Sequence, residues 1–465
     1  MSVFDKKTLN DIYKEIQDTY KTSSLPWVIG YSGGKDSTAT LQLIWNAIVK
    51  LPVEERTKPI HVISTDTLVE TPVIVNYISS AIQKMNAAAK EQQLNLTAHT
   101  LTPELQDTFW VNLIGKGYPA PNTGFRWCTD RMKINPSNKF ILEKVAEHGE
   151  VILALGMRRN ESANRNKVID NHEVKGYKLS RHGKLRGAWV FMPVEEFTTD
   201  DIWTYLLNQP ISPWGMDNRH LSALYRSAQS GECPLVVDDS TPSCGNSRFG
   251  CWTCTVVSKD KSMEAMIDSG EEWMTPLLDF RDWLSSTQNP EVKPLQREFR
   301  GRDGRIKISE TGKLRYRTYK LEFSKEMFKR LLETERLVKK HDPKYELISL
   351  AEIAEIRRIW ISERQDWNDE LPDIYQNITG KELAGTFSDI FVPGATELSI
   401  LYELSEEHDV PMQLLQRLLD AEWQSYGMFR RASIHSTIEK IFEKDWRTLE
   451  DIQHLITQPE NNDTE

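Results

Sequence analysis

Apolar and polar positions in the first two hundred residues alternate between two kinds of pattern. Residues 5–20 set Leu9, Ile12, Tyr13, Ile16 and Tyr20 at helical spacing on one face. A short strand-like run follows at 26–31, and further strand-like runs recur at 59–66, 94–101, 151–156 and 188–194. Helical patterns over 37–50, 71–92 and 137–148 separate most of them. Short apolar strands alternating with helices predict an α/β fold: a parallel sheet covered by helices on both faces. Ligands of such sheets bind at the carboxyl ends of the strands. The residues just after each run are therefore the ones to inspect.

Past residue 260 the strand-type runs stop. Residues 265–285 and 323–340 are amphipathic at helical spacing, and "SLAEIAEIRRIWISER", "MQLLQRLLDAEW" and "IEKIFEKDW" add further helices within 345–455. The terminal "QPENNDTE" has the composition of a disordered tail. The expected organisation is an α/β domain over 1–210, a Cys-rich segment over 211–262, a basic ribbon with a mainly helical C-terminal region over 263–455, and a tail over 456–465.

The first strand-to-helix junction reads Ser32-Gly33-Gly34-Lys35-Asp36-Ser37-Thr38. Two glycines let the backbone curl so that its N–H groups converge on an anion, and the next helix aims its positive dipole end at the same place. It is not a Walker A loop: Gly30 precedes Gly34-Lys35 by one residue too few, and Asp36 stands where a magnesium-binding hydroxyl belongs. The string resembles the PP-loop of the ATP pyrophosphatase superfamily. That resemblance implies that residues 1–210 form a Rossmann-like PP-loop domain that grips ATP and, with Mg2+, cleaves it between the α and β phosphates. Ser32 to Thr38 are then the nucleotide cradle, and Lys35 and Asp36 catalytic residues.

Other strand ends carry further candidates. Asp66 follows the second strand as a ribose or magnesium contact, although it also reads as a cap for the helix near Thr71. "GMRRNESANR" after 151–156 offers Gly156, Arg158, Arg159 and Arg165 to phosphates, although the arginines also read as solvated surface charges. This segment and "PVEEFTTDDIWTYL" (193–206) resemble the phosphoadenylyl-sulfate reductase branch of the superfamily, with Phe197 in place of the usual Trp. In "GFRWCTDRMKINP" (124–136), Cys128 lies among Arg126, Arg131 and Lys133, and cationic neighbours stabilise a thiolate. Cys128 is the candidate nucleophile, with Arg126, Lys133, Arg159 and Arg165 as substrate contacts. A half-buried structural cysteine beside Trp127 is the plainer reading. The reductase branch has a cysteine pair at this element in its iron–sulfur members. Thr129 follows Cys128 here, so that arrangement cannot form.

Cysteine use is uneven. Four of the five cysteines, Cys233, Cys244, Cys251 and Cys254, lie within "GECPLVVDDSTPSCGNSRFGCWTC". Clustered thiols point to a metal site, and the spacing leaves both zinc and a [4Fe–4S] cluster open. "GNSRFGCWTCTVVSKDKSM" after a PP-loop domain resembles the DndC-type DNA phosphorothioation sulfurtransferases. That resemblance implies that the four cysteines hold a [4Fe–4S] cluster. It also implies DNA as substrate, a cysteine desulfurase as sulfur donor, and other subunits of a DNA phosphorothioation complex as partners.

The net charge of −10 excludes a globally basic nucleic-acid coat but not a local basic surface. Such a surface is offered by "REFRGRDGRIKISETGKLRYRTYK" (297–320), where nine Lys or Arg face three acids around the turn signal Asp303-Gly304. With no signal peptide and no apolar run near the length of a membrane span, a cytoplasmic protein without membrane contact is expected. The combined expectation is an ATP-dependent sulfurtransferase. It adenylates a DNA backbone phosphate, releases pyrophosphate and replaces a non-bridging oxygen with sulfur. The alternatives are a sulfonucleotide reductase, a tRNA thiolase, and a non-enzymatic, cluster-stabilised DNA-binding subunit. No cysteine follows Cys254 to serve as the C-terminal thiol of a reductase.

Overall fold

The computed structural model describes residues 2–159, 179–227, 250–301, 303–310, 312–383, 393–426 and 432–457. The chain forms two compact units: Met1–Thr108 with Pro121–Arg281, and Phe109–Ala120 with Asp282–Glu465.

The first unit is built on six strands: β1 (Trp27–Gly30), β2 (Ile60–Thr65), β3 (Leu96–Leu101), β4 (Val151–Ala154), β5 (Leu179–Arg181) and β6 (Ala188–Phe191). Their order across the sheet is β3-β2-β1-β4-β6-β5. All neighbours run parallel except β5, which pairs antiparallel to β6. Trp27 is in register with Ile60 on one side and Ile152 on the other. The principal helices of this unit up to residue 227 are α1 (Leu9–Lys21), α2 (Lys35–Val49), α3 (Pro72–Glu91), α4 (Asn135–His148), α5 (Thr199–Asn208) and α6 (Asn218–Ser227).

Alternation along β1 and β4 explains why these two central runs read as apolar throughout. Trp27, Ile29, Ile152 and Ala154 point into the larger core cluster with residues of α1, α2 and α3. Val28, Val151 and Leu153 point the other way, onto Ile141 of α4. A strand buried on both faces shows no polar beat. The expected parallel sheet with helices on both faces is what the chain builds. The edge strand β5, only three residues long, was not anticipated. The sheet order reverses between β1 and β4, the position at which open α/β sheets bind their ligands.

The second unit is helical. Its helices are α7 (Leu321–Val338), α8 (Leu350–Arg364), α9 (Leu371–Thr379), α10 (Ala395–Glu407), α11 (Met412–Ser425), α12 (Ala432–Phe442) and α13 (Leu449–Thr457). Phe109–Ala120 supplies part of its core: Trp110, Val111, Leu113 and Ile114 are buried there. Trp110 Nε1 donates to Leu347 O at 2.6 Å, and Trp360 Nε1 to Ile114 O at 3.0 Å. Among the described residues no helix is long and apolar enough to cross a membrane.

One pair of side chains in the sheet ties stability to pH. His61 on β2 and His99 on β3 lie with ring nitrogens 3.2 Å apart, and both rings pack on Phe140 of α4. Burial, then the neighbouring His99 and Lys144, pushes His61 down to about 4 from its ordinary 6.5. The unfolded chain therefore takes up a proton below pH 6.5 that folded His61 refuses until about pH 4. Stability should be full above that window and fall by on the order of 1–3 kcal/mol as the pH drops through it. His61→Phe should flatten this part of the curve. Parallel pH dependences of the urea midpoint in the two proteins would contradict it.

Candidate active site

The loop after β1 is closed by its own hydroxyls. Ser37 Oγ donates to Gly34 O at 3.0 Å, accepts from Ser32 N–H at 3.2 Å and lies 3.1 Å from Ser32 Oγ. Gly33 takes φ +73°, a left-handed conformation that favours glycine. Gly34 is the N-cap of α2 and has no side chain of its own to cap that end. The first turn of α2 is thus built to present backbone N–H groups and a dipole end to an anion.

The loop after β4 is pressed against this turn. A Cβ on Gly156 would lie 2.9 Å from the carbonyl carbon and oxygen of Asp36 and from Ser37 N. Two residues on, Arg158 is buried and donates through Nε to Asp36 Oδ1 at 2.7 Å and through Nη1 to Thr199 Oγ1 at 3.2 Å. Lys35 Nζ donates to the other Asp36 oxygen at 2.8 Å. Asp36 is therefore held between two cations, and it fixes the direction of Lys35. Arg158, read as a direct phosphate contact, is instead turned onto Asp36. Arg159, read as a substrate contact, pairs with Glu195. Arg165 lies outside the described residues.

Tyr225 of α6 was not foreseen. Its hydroxyl accepts from Lys35 N–H at 3.1 Å, and the Lys35 ammonium stands 5.6 Å from its ring centre. Only the i, i+4 pairing of Leu221 with Tyr225 marks this residue in the chain, and that pattern speaks of packing. Phe197, at the departure from the reductase-branch pattern, is buried edge-on against Phe4, with centroids 5.7 Å apart. The α5 start is a capping box from Thr198 to Asp201.

β2 neighbours β1, and a second group of side chains gathers after its end. Asp66 accepts from Leu68 N–H at 2.8 Å, so it turns the chain beyond β2 and does not cap the helix near Thr71. Glu70 then forms an antiparallel bridge with Cys251, and Trp252 N–H donates to Val69 O at 3.0 Å. These bonds lay the Cys251–Cys254 turn along the β2 exit. Thr67 Oγ1 lies 3.3 Å from Cys251 Sγ, and Cys254 N–H donates to Cys251 O at 3.0 Å. Wholly buried Arg281 braces the turn from behind, donating to the carbonyls of Cys254 and Ser258 at 2.9 Å each and to that of Val257. Thr67, Glu70 and Arg281 carry no pattern that would have singled them out.

Cys128 belongs to the same group, for its thiol is near enough to feel Cys254. The expected thiolate-stabilising surroundings are not what the fold provides. Burial pushes the Cys128 thiol up, Cys254 adds to this, and Thr129 and Lys133 pull back with less effect. Arg131 is spent on Asp107. Arg126 keeps a buried Nε with no hydrogen-bond partner among the described residues. Cys251 is pushed up to about 12, chiefly by burial. Glu70 is raised to about 6 by burial, while Lys133, 4.0 Å away, opposes the shift.

Cys233 and Cys244 lie outside the described residues, and among the described ones no three His, Cys, Asp or Glu side chains converge as a metal site. The described half of the proposed ligand set nevertheless suits a thiolate-bound iron–sulfur centre. Cys251 and Cys254 share one turn, a hydroxyl stands at one sulfur, and the Cys254 carbonyl is fixed by Arg281. A bound cation would reverse the burial penalty that now keeps Cys251 protonated.

A parallel sheet with an anion loop at its reversal point, closed by Gly156 and the Asp36 clamp, defines a Rossmann-like PP-loop domain. Residues 26–257 match the family model of the phosphoadenosine phosphosulfate reductase domain. Over 194 residues the chain is 26% identical to an uncharacterized protein of Methanocaldococcus jannaschii, covering 42% of this chain and 34% of that relative, so the chain spans about a third of its length. Among solved structures it is similar to phosphoadenylyl-sulfate (PAPS) reductase from Candida auris in its phosphate complex, with 13% identity and TM-score 0.27 over 48% of this chain and 94% of that one. It is also similar to the U34-tRNA thiolase NcsA from Methanococcus maripaludis with its [4Fe-4S] cluster, with 15% identity and TM-score 0.28 over 51% and 86%.

Because Gly156 abuts backbone, its neighbours cannot yield by a side-chain rotation. Gly156→Ala should cost about 1–3 kcal/mol of stability and weaken nucleotide binding in the same variant. A urea midpoint and an ATP affinity both equal to those of the parent protein would show that the two loops are not in contact.

Proposed function

We propose that this protein is an ATP-dependent sulfurtransferase that places sulfur on the DNA backbone. The observation that carries the reading is the pairing, on adjacent parallel strands, of an anion loop after β1 with a group of half-buried thiols after β2. An adenylating loop makes a phosphate oxygen a leaving group, and a thiol brings sulfur. The identity of DNA as acceptor rests on the resemblance carried by residues 245–263.

In this reading a non-bridging oxygen of the DNA phosphate attacks the α-phosphorus of ATP. The bond between α-phosphorus and the bridging oxygen breaks, and pyrophosphate departs. The α2 N-terminus and Lys35, aimed by Asp36, stabilise the charge that shifts onto it, and Mg2+ screens the phosphates when bound. Arg158 holds Asp36 in place. The terminal sulfur of a persulfide on Cys128, loaded by a cysteine desulfurase, then attacks the DNA phosphorus. AMP leaves with the original oxygen. An external thiol cleaves the remaining sulfur–sulfur bond, which frees the phosphorothioate and gives a mixed disulfide that a second thiol equivalent reopens. Arg126 and Lys133 offset repulsion between the two polyanions. Cys233, Cys244, Cys251 and Cys254 hold a [4Fe–4S] cluster, which supplies electron or sulfide chemistry to the thiol group when bound.

Anaerobically purified protein should convert ATP to AMP and pyrophosphate, and Lys35→Ala should abolish this; release of ADP and orthophosphate would remove the adenylation step. Cys128→Ser should keep its iron and ATP turnover yet form no phosphorothioate dinucleotides, as read by mass spectrometry of digested DNA. Sulfur in tRNA bases in place of the DNA backbone would move the protein to the thiolase reading. Cys251→Ser should lose iron and solubility, because metal binding is folding free energy for such loops.

A further inference from the structure

The basic stretch 297–320 is a set of short antiparallel pairings, bridged at Arg297↔Tyr319, Arg300↔Ile306 and Ile308↔Leu314. Arg315 N–H donates to Lys307 O at 2.9 Å and Ser309 N–H to Lys313 O at 2.8 Å. Lys307 therefore stands opposite Arg315, and Ser309 opposite Lys313. Alternation sets these four residues on one face and Ile308 and Leu314 on the other. Arg305, two residues before Lys307, continues the basic face along the strand.

Arg305, Lys307, Lys313 and Arg315 are all exposed, and none makes an ion pair with a described residue. Two cations directly across a strand pair repel each other, which destabilises the ribbon unless an anion lies over both. The basic residues at the base behave differently. Arg297 is buried, and Arg300 donates to Gln413 and to Arg447 O and stacks on Trp446. The base anchors the ribbon, and the outer cations are left for a partner.

We infer that this outer face docks duplex DNA through its backbone phosphates. Charge complementarity selects a polyanion, and same-face cations recur on the order of every 7 Å along a strand. The aromatic residues of the stretch select the duplex over a single strand. Tyr319 is fully buried and bonded to Thr287 and Ala120, Phe299 is covered by Arg300, and Tyr316 falls on the Ile308–Leu314 side by alternation. Among the described residues of the ribbon no aromatic platform stands on the basic face for unstacked bases. A two-stranded ribbon fits the major groove of B-form DNA, whereas the A-form groove of duplex RNA is too narrow for it. This inference rests on the DNA-directed reading only for its biological sense; the binding surface stands on the ribbon itself.

The test uses the full-length protein with a short fluorescent DNA duplex, measured by anisotropy between about 50 and 200 mM salt. The triple variant Lys307→Ala, Lys313→Ala, Arg315→Ala should bind about tenfold or more weakly, with a salt slope smaller by roughly 3. Its unfolding midpoint should not fall, and the exchange Lys307→Arg, Lys313→Arg, Arg315→Lys should restore binding. Unchanged affinity and slope in the triple variant would overturn the inference. So would a parent protein that binds no duplex, or one that prefers single strands or duplex RNA through the same residues. Duplex binding that is lost with the ribbon in a protein that forms no phosphorothioate would sink the proposed reaction and leave this docking surface standing.

Discussion

The site depends on one close approach of backbone to backbone. Gly156, leaving β4, lies so near the Asp36–Ser37 peptide that no side chain fits between them. This contact spans the point where the sheet order reverses, and Arg158 follows from it. With the chain pinned at Gly156, its guanidinium reaches Asp36 and Thr199 from within the fold. Asp36 cannot then swing toward solvent, and Lys35, bonded to its other oxygen, inherits a direction. The anion loop is thus held from behind by a chain of contacts that begins at a missing Cβ. Preorganised charge of this kind costs no rearrangement when a phosphate arrives.

At the thiols, two electrostatic influences compete and burial wins. Cations near Cys128 favour its charged form, but one of them is neutralised by Asp107 and another is half exposed at Lys133. Removing water from a sulfur costs more than a screened ammonium returns. The same balance raises Cys251 and Glu70. A pocket that disfavours free thiolates favours them once a cation with its own charge is present, which is the ordinary condition of a metal-bound cysteine. The surroundings that keep Cys251 protonated when it stands alone are therefore consistent with a metal ligand.

The parallel sheet was legible because its central strands β1 and β4, buried on both faces, read as apolar runs, and because the helices between the strands are long enough to show their period. The anion loop was legible because glycines and hydroxyls at a strand end have few other uses. What escaped was whatever depends on partners distant in the chain. Arg158 looks like a free phosphate contact until Asp36, more than a hundred residues earlier, is placed beside it. Glu70, Thr67 and Arg281 act on the cysteines only through the fold, and no local spacing records that. Cys128 was read from its sequence neighbours, whose charges are visible, whereas its burial is not.

Phe109–Ala120 gives the chain an unusual genetic property. It leaves the first unit after Thr108, contributes Trp110 and Ile114 to the second, and returns at Pro121, a few residues before Cys128. A nonsense mutation near residue 282 would therefore do more than delete an appended module. It would release an apolar strip in the middle of the remaining polypeptide, stripped of the α8 residues that shelter it. Premature termination should accordingly yield an aggregation-prone fragment, not a smaller working nucleotide-binding protein, and a shortened natural relative would need a rewritten 109–120 segment to survive as a separate species.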